Sequence, residues 1–299
     1  MLEVKNVTKY YDKIKAVDNL SFAVPDGRIF GLLGVNGAGK TTTFRMILGL
    51  LEPTKGTILL DGKPIDYDRT DEIGFLTEER SLLTKLTVKE QAIFYGTLKG
   101  MSEKKILEKL DEWLERFEIS EYKNRKIKEL SKGNQQKVQF ICAVMHEPKL
   151  LILDEPFTGL DPINVEMFMD AIRYFRDKGS SIIFSSHRME HVELFCENLV
   201  ILVKGKSVLE GNLKEIKKNY RKKNIHVIGD FDVEKVKGID GVLGVNNDAS
   251  EIVIHLKDES IIDDVFNVVK KGKNILKFAV EDASLNEIFL SKVGEAYEE

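Results

Sequence analysis

The chain has 299 residues, long enough for two domains or one large one and for a sizeable core. Its 42% apolar and 31% charged residues are the balance of a soluble globular protein. A net charge of −4 argues against a general nucleic-acid footprint, and no apolar run approaches the ~20 residues that cross a bilayer.

Met1-Leu2-Glu3-Val4-Lys5 enters a strand directly, so no signal peptide is expected. Strands are expected over residues 2–7 and 17–24, the second with Leu20, Phe22 and Val24 alternating, closed by the turn Pro25-Asp26-Gly27. The apolar run Ile29-Phe30-Gly31-Leu32-Leu33 reads as a buried strand and residues 41–51 as a helix. A further strand over 56–61 ends at Asp61-Gly62. From about 78 to 147 the pattern turns helical. Ser102 caps a helix whose stripe is Ile106, Leu107, Leu110, Trp113, Leu114 and Phe117, read as core. Leu150-Leu151-Ile152-Leu153 has the unbroken apolarity of a parallel strand buried on both faces. Asp161-Pro162 opens a helix that Gly179 stops, and Ser181-Ile182-Ile183-Phe184-Ser185 is another buried strand. Strands alternating with helices predict an α/β core with a mainly parallel sheet.

After Lys218 the character changes. The basic stretch at 214–223 reads as a solvated helix end and linker. Strands at 225–228, 242–245, 252–255 and 275–280 with two short helices between them have the β-α-β-β-α-β order of a small ferredoxin-like α+β domain, followed by a helix over 285–293. The expected domains are therefore 1–220, with a helical subdomain at about 78–147, and 221–299. Cys142 and Cys196 fall in helix-like segments without metal-ligand spacing, which predicts buried free thiols.

Chemistry concentrates after the third strand. Gly34-Val35-Asn36-Gly37-Ala38-Gly39-Lys40-Thr41-Thr42 matches the phosphate-binding loop G-x-x-x-x-G-K-[S/T]. Its glycines let the backbone curl so that N–H groups face an anion, and the helix that follows presents its N-terminus. Lys40 supplies a compact positive charge for the β- and γ-phosphates, and Thr41 a hydroxyl for Mg²⁺. The buried strand at 150–153 ends in Asp154-Glu155, where ligands sit in such sheets. An Asp there suits Mg²⁺, and the next Glu suits positioning water.

Leu130-Ser131-Lys132-Gly133-Asn134-Gln135, just upstream, resembles the Leu-Ser-Gly-Gly-Gln hallmark of the ATP-binding subunits of ABC transporters. Gly159-Leu160-Asp161-Pro162 is similar to the family's D-loop, and Ser185-Ser186-His187 to its switch histidine. Tyr11 fits the aromatic residue that stacks on adenine, with Tyr10 a close rival. The resemblance covers roughly residues 2–220.

The resemblance implies ATP and Mg²⁺ as cofactors. It places Glu155 as the residue that activates water, His187 at the γ-phosphate and Glu78 beside them, with Thr41, Asp154 and Glu78 toward the metal. Tyr11, Gly34, Asn36, Gly37, Ala38, Gly39, Lys40, Thr41 and Thr42 would hold nucleotide. Ser131, Gly133 and Asp161 would serve the nucleotide of a second copy, or of a homologous subunit, in a head-to-tail dimer. An integral membrane permease would dock around residues 78–100, with Leu82, Leu83 and Leu86 supplying apolar contact, or else packing on their own subdomain. The chain would work in the cytoplasm, peripheral on the inner face of the membrane, for export, with no nucleic-acid partner.

Two motifs depart from the family pattern. Lys132 and Asn134 replace the usual Gly and Gln of the hallmark, and Glu78 stands where Gln is usual, within Thr77-Glu78-Glu79-Arg80. A second carboxylate near Glu155 raises the pKa of one or both. Some exporter subunits that this chain resembles share the Glu-Glu-Arg sequence and a short C-terminal extension. The rival readings are a soluble ABC-type ATPase acting on ribosomes or nucleic acid, and a module that binds ATP as a switch without hydrolysis. A single cassette speaks against the first, and intact Lys40, Asp154 and Glu155 against the second.

Overall fold

The computed structural model describes residues 1–79, 81–247 and 251–298. The chain forms two compact units, Met1–Glu210 and Gly211–Glu299. This division falls earlier than the expected one at 220.

The first unit opens with β1 (Leu2–Tyr11) and β2 (Ile14–Val24), paired antiparallel from Leu2↔Val24 to Tyr11↔Ile14. Both run longer than the apolar alternation predicts, and Tyr11 stands at the end of β1. β3 (Ile29–Gly34) is buried at every residue and has a parallel strand on each side. α1 (Lys40–Ile47) is shorter than the expected 41–51. Gly49 takes φ 68°, its N–H reaches the Met46 carbonyl (3.1 Å), and the Leu50 N–H reaches Arg45 (2.9 Å). That pair of bonds closes the helix, so the apolar residues beyond it leave the helical path. β4 (Lys55–Leu60) and β5 (Lys63–Pro64) complete an antiparallel sheet in the order β2-β1-β4-β5.

β6 (Ile73–Leu76) leads into the helical region: α2 (Val88–Leu98), α3 (Glu103–Arg116) and α4 (Lys132–Val144). Thr87 and Glu90 form a capping box on α2, and Ser102 caps α3 as predicted. The α3 stripe is core: Ile106, Leu110, Trp113 and Leu114 are buried, and Trp113 stacks on Phe175 with ring centroids 5.5 Å apart. Each such side chain contributes about 1.5–3 kcal/mol by leaving water.

Next come β7 (Leu150–Asp154), α5 (Pro162–Asp177), β8 (Ser181–Ser185) and α6 (Met189–Phe195), then β9 (Asn198–Val203) and β10 (Lys206–Asn212). The main sheet has the order β10-β9-β3-β8-β7-β6. β3, β8, β7 and β6 are parallel neighbours, so their carboxyl ends share one edge. Both cysteines are buried and free.

The second unit runs α7 (Leu213–Asn219), β11 (Lys223–Asp230), α8 (Val233–Lys237), β12 (Val242–Asn247), β13 (Ile252–Leu256), α9 (Ile262–Val269), β14 (Lys273–Asp282) and α10 (Leu285–Glu298). Its antiparallel sheet has the order β12-β13-β11-β14, the ferredoxin-like arrangement. Ile225, Val227, Ile254, Leu256, Val265 and Val269 make its core.

Candidate nucleotide site

The turn from β3 into α1 forms the floor of a cavity of about 170 Å³. α1 differs from α2, α3, α4 and α5 in having no side-chain cap: its N-cap is Gly39, and its first turn holds no acidic residue. Its leading N–H groups and positive dipole end are left for an anion. Gly39 has φ 106°, and a Cβ there would stand 2.6 Å from the Ala16 carbonyl. Gly37 has φ 79° and nothing within 4 Å of its missing Cβ, so the loop stays open on that side. Lys40 bends back so that Nζ donates to the carbonyls of Gly34 (2.6 Å) and Val35 (3.4 Å). Burial lowers its pKa, against the pull of Asp154, Glu155 and Glu78. A polyanion in the cavity would relieve that cost of a half-buried charge.

The opposite wall is acidic. Asp154, Glu155, Glu78 and His187 line the same cavity as Asn36, Lys40 and Thr41. They come from the ends of β7, β6 and β8, strands that the sheet order sets side by side next to β3. Asp154 accepts a hydrogen bond from the Ser185 hydroxyl, while burial raises its pKa. Glu155 is 7% exposed and takes φ 50°, the left-handed region where a side chain is strained. Its N–H donates to the Ser185 carbonyl at 3.2 Å, which holds the turn. Burial, then the charges of Asp154 and Glu78, push its pKa up to about 7. Among the described residues Oε1 of Glu155 has no hydrogen-bond partner although it is buried, and His187 Nε2 stands 3.6 Å from it. A buried, unpaired, basic carboxylate oxygen beside an anion cradle is suited to accept a proton from water.

The comparisons with known proteins agree with this geometry. The family described as "ABC transporter" matches residues 17–158, and "ATP-binding protein DrrA1-3-like, C-terminal domain" matches 211–293. The ABC transporter ATP-binding protein YhaQ of Bacillus subtilis is 49% identical over 298 residues, covering 100% of both chains. The chain belongs to the ATP-binding subunits of ABC transporters. Among solved structures, an ATP-binding subunit of an ABC transporter superposes with TM-score 0.69 at 32% identity, over 74% of this chain and 93% of the other. A dimeric bacterial ABC transporter cassette superposes with TM-score 0.65 at 27% identity, over 71% and 99%.

Within one cassette the remaining expected residues do not join the cavity. Gly34 supplies a carbonyl to Lys40 from the end of β3. Tyr11 is 42% exposed and Tyr10 38%; neither lines the cavity, where Ala16 takes a place that the sequence reading omits. Ser131 caps α4 by accepting from the Asn134 N–H (3.2 Å), and Asp161 caps α5 by accepting from the Asn164 N–H (3.0 Å). Gly133 lies near these elements: a Cβ on it would meet Leu160 at 3.7 Å and Asn164 at 3.9 Å. Arg80, of the Glu-Glu-Arg sequence, lies outside the described residues. Among the described residues no group of three or more His, Cys, Asp or Glu forms a metal site alone. Mg²⁺ normally arrives with phosphates and needs only one or two protein oxygens, so the Thr41 hydroxyl and the Asp154 carboxylate fit it.

The cassette carries a second cavity, a groove of about 430 Å³ between β6 and the helical region. Leu82, Tyr95 and Leu98 line it with the buried amides of Gln91 and Gln139. His146, also on its wall, has its pKa lowered to about 4 by burial, with Nε2 on the Ile73 carbonyl at 3.1 Å. Leu83, next in the chain to Leu82, is 43% exposed, which disfavours the reading of that residue as core. No helix among the described residues is long and apolar enough to cross a membrane.

Proposed function

We propose that this ABC subunit is a Mg²⁺-dependent ATPase that drives a separate membrane permease, in the direction of export, from the cytoplasmic face of the membrane. One observation carries the hydrolytic reading: four adjacent strand ends bring the phosphate loop, Asp154-Glu155, His187 and Glu78 around one cavity. The α1 N-terminus and Lys40 bind and orient the phosphates. Asp154 and Thr41 would hold a Mg²⁺ ion, which would supply positive charge to neutralise the transferring phosphoryl group. Glu155 takes the proton of the attacking water at Oε1, and His187 orients both. Glu78, on the same cavity, would offer the ion a further carboxylate oxygen. Most of the acceleration comes from positioning and electrostatics, because phosphoryl transfer asks for little covalent chemistry from the protein.

Ser131, Gly133 and Asp161 serve the nucleotide of a partner cassette, since their own cavity excludes them and they lie together at the starts of α4 and α5. The groove beside residues 78–100 receives the permease.

The test is Glu155→Gln. Turnover should fall by about 10²-fold or more while ATP still binds, and ATP should now convert the protein to a stable dimer on a sizing column. Near-normal turnover would remove Glu155 from the base role. Purification from membranes should bring down a multispan neighbour. Sedimentation with ribosomes instead would replace the permease reading.

A further inference from the structure

Gln139 lies on α4, does not line the nucleotide cavity, and is 4% exposed. Its Nε2 donates to the Thr77 carbonyl (3.1 Å), the Thr77 hydroxyl (3.0 Å) and the Glu79 carbonyl (3.3 Å). The residue between those two carbonyls is Glu78, which does line the nucleotide cavity. Thr77 and Gln139 both line the groove on the other side. One buried amide thus grips the loop before and after a single site residue. The Thr77 hydroxyl adds a bond to the Glu79 carbonyl and tightens the same turn.

The other end of this amide is costly. Among the described residues Gln139 Oε1 is buried with no hydrogen-bond partner, and a buried unsatisfied oxygen lowers stability. An apolar side chain of the same length would fill the position without that cost. A polar group kept at the expense of stability, whose side-chain hydrogen bonds among the described residues go to the loop that carries Glu78, points to function.

We propose that Gln139 is a positioning residue for ATP hydrolysis, holding the Thr77–Glu79 turn so that Glu78 reaches the reacting phosphates. The inference rests on the role given above to Glu78. A loop slackened by a fraction of an ångström misplaces a carboxylate in a reaction that depends on geometry.

The experiment uses the full chain with Mg-ATP and compares Gln139→Met, Gln139→Leu, Glu78→Ala and the double variant Glu78→Ala/Gln139→Met. Gln139→Met should lower kcat about 10-fold with KM changed less than about twofold, and melt no lower than the parent. The double variant should be no slower than Glu78→Ala alone, because the two residues act through one contact. Full kcat in Glu78→Ala would overturn the role of Glu78 itself. A normal kcat in Gln139→Met beside an impaired Glu78→Ala, or losses that multiply in the double variant, would overturn Gln139 alone. Marked loss of thermal stability in both Gln139→Met and Gln139→Leu would assign the residue to core packing and end the proposal.

Discussion

Ser185 donates a hydrogen bond from its hydroxyl to Asp154 Oδ1 across β7 and β8, where the two residues stand in register. Ser185 is fully buried, and its carbonyl also receives the Glu155 N–H. One residue therefore holds the Asp154 carboxylate and the backbone of Glu155. Ser185→Ala removes the hydroxyl but keeps the backbone bond. The Mg²⁺ concentration for half-maximal ATPase should rise by about 10-fold or more, as when the outer support of a metal ligand is lost. Titrating Mg²⁺ at saturating ATP checks this, and an unchanged midpoint would detach Ser185 from metal binding.

The places of Ser131 and Asp161 outside the cavity predict a site shared between subunits. Lys40→Ala and Ser131→Arg should each be nearly inactive. Mixed, they form dimers with one composite site intact in both halves and the other doubly damaged, and ATPase should return if one site fires alone. A monomer that hydrolyses ATP at full rate, with no dependence on protein concentration, would rule the shared site out.

Leu83 is the exposed apolar residue of the loop beside the groove, and its N–H is held by Gln91 Oε1 at 3.0 Å. The backbone is fixed while the side chain faces solvent, which suits a docking contact. Leu83→Asp should leave unfolding free energy within about 0.5 kcal/mol of the parent, as exposed substitutions do. It should weaken co-purification with the membrane partner. Undiminished association with the permease and normal transport would take Leu83 out of the interface.

Acid stability has a local source in the first unit. Hydrogen bonds from Lys178 and Lys109 hold the Glu147 carboxylate at a pKa of about 2, below its ordinary 4.5. A depressed carboxylate contributes stability that is complete above the unfolded pKa and lost as pH falls through the folded one. The contribution should therefore fade between about pH 4.5 and pH 2. Glu147 is 40% exposed, so screening limits it to about 1 kcal/mol. Urea unfolding of Glu147→Gln should show it less stable than the parent at pH 7, with the gap closing toward pH 2. A gap that stays constant with pH would deny the ion pairs any role in it.

The amino-acid sequence by itself determined what depends on neighbours along the chain. The phosphate loop was legible because its glycines, Lys40 and Thr41 act within one turn, and Asp154-Glu155 because an unbroken apolar run announces a buried strand end. The second unit was legible from strand and helix order alone. Local signals failed where a backbone angle or a distant partner decides. Gly49 ends α1 through its left-handed φ although Leu50 and Leu51 continue the apolar pattern. β9 and β10 carry no expectation from the sequence, although Leu199 to Val203 is an apolar run, because the place of β9 between β3 and the edge strand β10 is a property of the sheet. Only the tertiary structure set β8 between β3 and β7, and so put His187 and Ser185 against the acids. It alone excluded Ser131 and Asp161 from their own cavity and turned Gln139 toward the Glu78 loop. The reason is physical: hydrogen bonds between residues 31 or 60 positions apart exist only once packing has brought their strands and helices together.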